Sequence, residues 1–185
     1  MIQDIAPKRL YNEYEPKTQD HNDYIAVFMK NKILLKQTDK RMQLPQRAET
    51  EALAGHALHA DTYLFRIDDC AYFLHLGDLE ESKSCSAWNC TEPFCWMTLP
   101  QLRAQADHEL CFAVYTAYHL YVWYQNNRFC GRCGSRTVPD QKERMLSCTA
   151  CGNQIYPRIA PAVIAAVTNG DSILLTKYAN REYKR

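Results

Sequence analysis

No apolar run in this sequence approaches the roughly 18 to 20 residues that a membrane-spanning helix needs. The opening stretch, residues 1–20, also lacks the apolar core of a secretory signal peptide. These two absences predict a cytoplasmic protein with no membrane partner.

The sequence is also poor in net charge, which is +1 for 185 residues at pH 7. A chain so nearly neutral casts no strong field that would steer it to nucleic acid or acidic membranes, so only local patches can matter. It has no internal repeat and no low-complexity tract. Because 46% of its residues are hydrophobic, it can bury a core as one domain or two small ones.

Three segments are predicted to form β-hairpins. Residues 24–36 give two short strands about the turn Lys30-Asn31, and residues 62–76 place aromatic and branched side chains on both sides of Asp68-Asp69. Near the end of the chain, Asn169-Gly170 supplies the positive φ values of a tight turn between "AVIAAV" and "SILLTK".

Two further segments are predicted to be helical and one to be a loop. Residues 48–60 are mildly helical, although Gly55 costs about 1 kcal/mol against alanine. Residues 99–127 carry apolar side chains at three- and four-residue spacing, which predicts one long helix with Pro100 in its first turn and an aromatic surface for a core or a subunit interface. The polar residues 77–95 show no period and are predicted to be a loop. This order of elements predicts an α+β fold.

The chain has nine cysteines, an odd number, and the reducing cytosol disfavours disulfides. Four of them form two CxxC pairs, Cys130 with Cys133 and Cys148 with Cys151. The segment between the pairs can fold back as a short hairpin and bring four thiolates to one tetrahedral zinc ion. Glycine follows three of these cysteines and suits the tight turns. Four thiolates leave no open coordination position on the metal, so one structural zinc ion per chain is expected. Its binding would stabilise residues 128–158, which have few large aliphatic side chains to form a hydrophobic core.

The cysteine module has two other interpretations besides a structural zinc. A thioredoxin-like redox role fits less well, because two matched pairs are present and a βαβ context is absent. Between positions 128 and 158 the module carries six basic and two acidic residues, a local net charge of +4. This charge leaves open a stand-alone zinc-ribbon module that binds RNA or protein, beside the simpler interpretation of a solvated surface.

The stretches "RFCGRCGSRT" and "IYPRIAPAVIAAVTNGDSILLTK", together with the second CxxCG, resemble the central portion of the NADH pyrophosphatases of the Nudix superfamily. The resemblance is strong from Phe129 to Lys177. Upstream of Phe129, it consists in the order of the predicted hairpins and helix. It implies an N-terminal β-rich domain of two hairpins and a long helix at 1–127, a four-cysteine zinc ribbon at 128–158, and the incomplete start of a Nudix catalytic domain at 159–185.

The resemblance also implies a reaction and its participants. Water activated by magnesium or manganese would attack the diphosphate of NADH or NAD and yield AMP and nicotinamide mononucleotide, in a homodimer that also acts on RNA through NAD caps. Tyr156, in "YPR", and Glu143, five residues before the third ribbon cysteine, match substrate-contacting positions of the family. Simpler roles stay open, namely packing beside the zinc site for Tyr156 and a solvated hairpin charge for Glu143. The family also uses an arginine before its long helix. That role cannot be assigned to Arg103, because Pro100 and Gln101 disturb this stretch of the sequence.

The Nudix signature itself is absent from the sequence. It needs a glycine, a glutamate six positions on, and then Arg-Glu-hydrophobic-x-Glu-Glu-x-Gly, because clustered glutamates on one helix hold the divalent metals. The adjacent pair Glu80-Glu81 does not fit, since Leu76 stands where the pattern needs arginine. The chain is therefore expected to be an N-terminal fragment of a longer enzyme, with no catalytic residue and no hydrolytic activity of its own.

Several other cysteines and histidines leave alternatives open. Cys85, Cys90 and Cys95 recur at five-residue intervals, with Cys70 and His75 nearby in sequence, and could form a second metal site or, more simply, be free thiols. His56 and His59 lie three residues apart on the predicted helix, which would suit a metal or, more simply, one core-facing and one water-facing side chain.

Overall fold

The computed structural model describes residues 3–15, 20, 22–39, 41–55, 57–58, 61–77, 92–158 and 161–175. The strands are β1 (Leu10–Tyr11), β2 (Tyr24–Ala26), β3 (Phe28–Met29), β4 (Lys32–Gln37), β5 (Met42–Gln43), β6 (Asp61–Ile67), β7 (Cys70–His75), β8 (Phe94–Thr98), β9 (Thr137–Pro139), β10 (Leu146–Cys148), β11 (Gln154–Ile155), β12 (Thr168–Asn169) and β13 (Ser172–Ile173). The helices are α1 (Arg47–Ala54), α2 (Leu99–Gln105) and α3 (His108–Asn126). The predicted α+β class is confirmed. None of the helices in these ranges has both the length and the apolar character that crossing a bilayer requires.

The first sheet has the strand order β1-β6-β7-β2. Its centre is the antiparallel pair β6 and β7, which confirms the hairpin predicted about Asp68-Asp69, and Asp68 takes a φ of 49° in the turn. β2 pairs with β7 in parallel, with Tyr24 opposite Tyr72. Residues 24–26 therefore belong to this sheet and not to the hairpin predicted for residues 24–36.

The second sheet contains β3, β4, β5 and β8. β3 and β4 form the predicted hairpin about Lys30-Asn31, where Lys30 takes a φ of 57°. β8 is antiparallel to β4, with Trp96 opposite Leu34. The prediction of a loop as far as residue 95 is wrong at Phe94 and Cys95, because their hydrogen-bonding partner is a strand far away in sequence.

The segment predicted to be one long helix is two helices, α2 and α3, so that prediction is wrong. The break lies at Asp107, whose carboxylate caps α3 by accepting a hydrogen bond of 2.8 Å from the backbone N–H of Leu110. Pro100 lies in the first turn of α2, as predicted. Of the mild helix predicted for 48–60, only the first part is helical, as α1, because Gly55 with its left-handed φ of 74° ends the helix.

α3 packs against residues of both sheets in one hydrophobic core. Its Tyr118 and Tyr121 rings lie 5.4 and 5.0 Å from the ring of Phe28 in β3. Leu146 of β10 is buried in the same core, and Ile155 of β11 packs against it. Burying such a side chain contributes about 1.5–3 kcal/mol. The cysteine module is thus anchored to the N-terminal elements through its own apolar residues.

The last described elements, β12 and β13, form the third predicted hairpin. The turn is Gly170-Asp171, one residue later than predicted, since Asn169 pairs with Ser172 and Gly170 takes the positive φ of 57°. The apolar side chains of this hairpin, such as Ile164 and Leu175, are exposed. Residues 176–185 of the predicted hairpin lie outside the described residues.

Candidate functional site

Three short antiparallel strands in the order β11-β10-β9 carry the two CxxC pairs. Cys130 and Cys133 lie between α3 and β9, while Cys148 ends β10 and Cys151 lies in the turn that follows. The predicted fold-back of the segment between the pairs is confirmed by the pairing of Thr137 with Cys148. As a result, both pairs reach the same end of the sheet.

Each CxxC pair is closed by the same kind of turn. The N–H of Gly134 donates to the carbonyl of Cys130 at 2.8 Å, and the N–H of Gly152 donates to the carbonyl of Cys148 at 3.1 Å. The two glycines have φ values of 74° and 67°, where any other residue except asparagine or aspartate would be strained. These turns point the two sulfurs of each pair in one direction.

The four cysteine sulfurs form a compact cluster, with every Sγ within 4.8 Å of the other three. The Sγ atoms of Cys130 and Cys151 are 3.7 Å apart, and those of Cys133 and Cys148 are 3.4 Å apart. A disulfide needs about 2.05 Å. Tetrahedral zinc with Zn–S bonds of about 2.3 Å separates its sulfurs by about 3.8 Å. The spacing therefore fits one zinc ion and excludes two disulfides.

Backbone N–H groups surround these sulfurs and favour thiolates. The N–H of Arg132 lies 3.4 Å from the Cys130 sulfur, and the N–H of Cys151 lies 3.5 Å from that of Cys148. The backbone N–H and hydroxyl of Ser135, followed by the neighbouring sulfurs, lower the pKa of Cys133 to about 6. Because Zn²⁺ binds thiolates, this environment fits the metal.

The surroundings of Cys151 have the opposite effect on its pKa. The backbone N–H of Asn153 acts to lower its pKa, but the sulfur of Cys133, burial, and the sulfurs of Cys148 and Cys130 together outweigh that effect and raise the pKa of Cys151 to about 12. Four anions cannot share so small a space without a cation. A dication at the centre would favour the thiolate form of all four cysteines.

Tyr156 and Glu143 meet in the structure, although 13 positions separate them. The Tyr156 hydroxyl donates a hydrogen bond of 2.8 Å to Oε2 of Glu143, and both side chains are exposed, Tyr156 to 48%. The carboxylate stabilises the protonated phenol and raises the pKa of Tyr156. The pair lies at the end of the three-stranded sheet away from the cysteines, because Tyr156 follows β11 and Glu143 lies in the loop between β9 and β10. It presents an aromatic ring and a carboxylate to solvent.

Arg144 is a structurally important residue that sequence reasoning did not single out beyond its charge. Its Nη1 donates to Oδ1 of Asn12 at 2.9 Å, and its Nη2 donates to the backbone carbonyl of Leu64 in β6. The guanidinium also lies 5.6 Å from the ring centre of Tyr14. Burial lowers the pKa of Arg144. Arg144 thus ties the loop that carries Glu143 to the first sheet.

Of the remaining predicted positions, the structure describes only some, and those lie outside the cysteine cluster. Cys85, Cys90, His56, His59 and the Glu80-Glu81 pair lie outside the described residues. Cys95 is half-buried in β8, where burial raises the pKa of its thiol. His75 is buried, and its Nδ1 lies 2.6 Å from Oδ1 of Asp61. In the described part of the chain, the four ribbon cysteines are the one group of three or more metal-ligating residues close enough to share an ion. Arg103 is exposed in the last turn of α2.

Comparison with known proteins places the cysteine cluster in a described family of domains. Residues 125–156 match the family model of the NADH pyrophosphatase zinc ribbon domain. This match spans all four cysteines and includes both Glu143 and Tyr156. The match and the sulfur geometry together support a structural zinc ion.

Curated relatives cover more of the chain than the family model does. The protein from Stutzerimonas stutzeri (strain A1501) named NAD-capped RNA hydrolase NudC is 40% identical over 138 residues, which is 75% of this chain and 43% of the relative. Proteins of the same name from Pseudomonas aeruginosa (strain LESB58) and Pseudomonas fluorescens (strain Pf0-1) are 37% identical over 82 residues and 29% identical over 133 residues. The first of these matches covers 44% of this chain and 30% of the relative, and the second covers 71% and 43%. The chain therefore spans less than half the length of these relatives.

Proposed function

The chain belongs to the NADH pyrophosphatase family of the Nudix hydrolases through its zinc ribbon, and on that premise we propose that it is the N-terminal and ribbon part of an NAD(H) diphosphatase. The complete enzyme would cleave the diphosphate of NADH or NAD, or of an NAD cap on RNA, to give AMP or a 5′-phosphorylated RNA and nicotinamide mononucleotide. The observation that carries this proposal is the four-sulfur cluster inside the matched ribbon.

In this proposal the zinc ion is structural, and Cys130, Cys133, Cys148 and Cys151 are its ligands. All four coordination positions are filled by thiolates, so no position is left for water or substrate. The ion fixes the strand β10 and the turn that leads to β11, which in turn sets the position of Tyr156. The zinc would thus act on catalysis only by holding side chains in place.

Tyr156 and Glu143 are proposed to contact the dinucleotide. The tyrosine ring is exposed and can stack on a nicotinamide or adenine base, while the Glu143 carboxylate can accept a hydrogen bond from a ribose hydroxyl or an amide. Their mutual hydrogen bond orients both groups before substrate arrives. The position of Arg144 next to Glu143, with its bonds to Asn12 and Leu64, supports this role by fixing the loop.

The chemical step itself is proposed to lie outside this chain. Magnesium or manganese held by the glutamates of a Nudix signature would supply an activated water and charge stabilisation at the diphosphate. No such signature is present in residues 1–185, so this chain contributes binding and positioning residues but no catalytic residue. We propose the domain limits 1–127, 128–158 and 159–185, a homodimeric enzyme, and a cytoplasmic location on the same family likeness.

A stand-alone ribbon that binds RNA or protein is the weaker interpretation. The curated relatives that this chain matches are named as hydrolases, and the likeness to the Stutzerimonas stutzeri protein extends over 75% of this chain. The basic character of the ribbon does not by itself distinguish the two interpretations, because an enzyme that acts on capped RNA also meets phosphates.

The experiment is an NADH hydrolysis assay on the full-length protein that contains this chain, loaded with zinc and supplied with magnesium or manganese. Release of AMP and nicotinamide mononucleotide is expected, and Tyr156→Ala should raise the KM for NADH by about tenfold, the equivalent of one lost favourable contact. Tyr118→Phe is the control, because it removes a tyrosine hydroxyl from a ring that packs on Phe28 of the second sheet. A protein that leaves NADH, NAD and NAD-capped RNA intact would overturn the proposal.

A further inference from the structure

Phe129 is a large apolar side chain that the fold leaves in solvent. Its side chain is 53% exposed, although it directly precedes the buried Cys130. Its backbone is nevertheless held firmly, because Phe129 forms an isolated β-bridge with Arg136. On either side of this bridge, the N–H of Cys130 donates to the carbonyl of Ser135 at 2.8 Å, and the N–H of Thr137 donates to the carbonyl of Arg128 at 3.0 Å. The ring is therefore presented on a rigid frame, next to the zinc site.

An arginine lies beside this exposed ring. The guanidinium carbon of Arg136 is 5.5 Å from the ring centre of Phe129, within the range of a cation–π contact. Arg136 and Arg132 are both exposed, and neither forms an ion pair among the residues that the structure describes. We refer to Phe129, Arg132 and Arg136 as the ribbon platform.

The charges of the ribbon are unevenly distributed. Three arginines fall between positions 128 and 136, whereas the two acidic residues, Asp140 and Glu143, lie beyond β9 at the other end of the sheet. Four thiolates and Zn²⁺ together carry about −2, so the net charge of residues 128–158 with metal is about +2. This modest charge suits short-range contacts to a few phosphates and not long-range steering.

We infer that the ribbon platform binds the RNA body of a capped transcript, with one unpaired base stacked on Phe129 and neighbouring phosphates on Arg132 and Arg136. This inference rests on the proposed function, because it assigns the RNA partner of the same ribbon. An exposed aromatic ring with an arginine beside it, on a basic surface, is an arrangement that holds single-stranded nucleic acid without reading its sequence. Double-stranded RNA fits less well, since its bases are already stacked.

The location of the platform agrees with this role. Tyr156 and Glu143 lie at one end of the three-stranded sheet and the platform lies at the other. Arg136 to Asp140 is four residues of extended chain, or about 13 Å at 3.3 Å per residue. A cap at Tyr156 would therefore leave the platform within reach of the nucleotides that follow it.

The test uses the full-length protein without magnesium or manganese and a labelled, unstructured RNA of about 12 nucleotides, a usual site length. The RNA is supplied with a 5′-NAD cap and, separately, with a 5′-triphosphate, and the affinity is measured by fluorescence anisotropy. Phe129→Ala should weaken binding of both RNAs by about tenfold, and Phe129→Trp should restore it. NADH hydrolysis with magnesium should be unchanged in both variants, and their zinc content should stay at one per chain.

Arg136→Gln and Lys142→Gln form a matched pair that removes the same charge at opposite ends of the sheet. Arg136→Gln should reduce the slope of log affinity against log salt by about 0.7, the value for one phosphate contact to a single strand. Lys142→Gln should leave that slope unchanged. Equal effects of the two variants would overturn the inference, because they would reflect net charge alone.

Other results would overturn the inference in distinguishable ways. Unchanged RNA affinity in Phe129→Ala, with NADH hydrolysis intact, would overturn the platform and leave the proposed function standing. A shift in the oligomeric state of Phe129→Ala, measured by light scattering, without a change in RNA affinity would assign the surface to a contact between copies. If Phe129→Ala loses RNA affinity and the full-length protein hydrolyses no dinucleotide, the result would support the platform and overturn the proposed function.

Discussion

The guanidinium of Arg144, in the loop of the zinc ribbon, donates a hydrogen bond to the backbone carbonyl of Leu64, in the central hairpin of the first sheet. The two residues are 80 positions apart in sequence. This bond and the burial of Leu146 in the main core make the ribbon part of one packed body with the N-terminal sheets. The stability of the ribbon and that of the N-terminal elements should therefore be linked.

Replacing Arg144 with methionine should lower the free energy of unfolding by about 1–3 kcal/mol, because two hydrogen bonds are lost and the Leu64 carbonyl loses a charged donor. Urea unfolding of the zinc-loaded protein measures the change. Arg132→Met is the matched control on the exposed surface of the same ribbon and should change stability by less than about 0.5 kcal/mol. Equal effects of the two substitutions would contradict the proposed linkage.

Leu146→Ala should destabilise the protein by about 2–5 kcal/mol, because Leu146 is 3% exposed and its truncation opens a cavity in the core. Val138→Ala is its counterpart on the neighbouring strand, where the side chain is 46% exposed, and it should have little effect. Thermal unfolding followed by far-UV circular dichroism should report one transition. Separate transitions for the ribbon and the rest would show that the two do not share a core.

The zinc-loaded chain should contain one zinc ion per molecule, measured by inductively coupled plasma mass spectrometry. Cys148→Ser should weaken the site and release the metal to a chelator at a lower concentration, since one thiolate ligand is lost. Cys95→Ser is the control, because Cys95 lies in β8 outside the cluster, and it should keep the metal. A metal-free native protein, or one whose ribbon cysteines form disulfides, would refute the site.

Glu143→Gln should lower the pKa of Tyr156 towards its ordinary value. The Glu143 carboxylate accepts the phenol proton's hydrogen bond and repels the phenolate, so removing its charge favours ionisation. Because the pKa of Tyr156 is raised on folding, its hydrogen bond stabilises the folded state at pH values below the ordinary pKa of tyrosine. This stabilisation is lost as the pH rises through the raised pKa. Carbon-13 NMR of labelled tyrosine across pH 8 to 12 measures the shift. Glu109→Gln, whose carboxylate pairs with Lys8, should leave the Tyr156 titration unchanged.

Local features of the sequence predicted the elements whose partners are close in the chain. The turns at Lys30-Asn31 and Asp68-Asp69 and the pairing of β9 with β10 follow from residues within one short segment. The clustering of the four cysteines could be predicted in the same way, because two CxxC turns joined by a hairpin bring the four sulfurs to one place.

The errors concern features whose causes are not visible in a short window. β8 has no alternating pattern of its own and forms a strand because β4 supplies its hydrogen bonds. The apolar period of residues 99–127 continues across the break between α2 and α3, and the capping carboxylate of Asp107 outweighs it. The third hairpin turns one residue late, at Gly170-Asp171, where the glycine rather than the asparagine takes the positive φ.

The sequence by itself determined the metal-binding chemistry and the turns, because ligand spacing and backbone strain act between neighbouring residues. The tertiary structure alone decided that Tyr156 meets Glu143, that Arg144 binds the first sheet, and that Phe129 stays in solvent. These relationships depend on how strands and helices pack, and packing is set by the shapes and buried areas of residues that lie far apart in the chain.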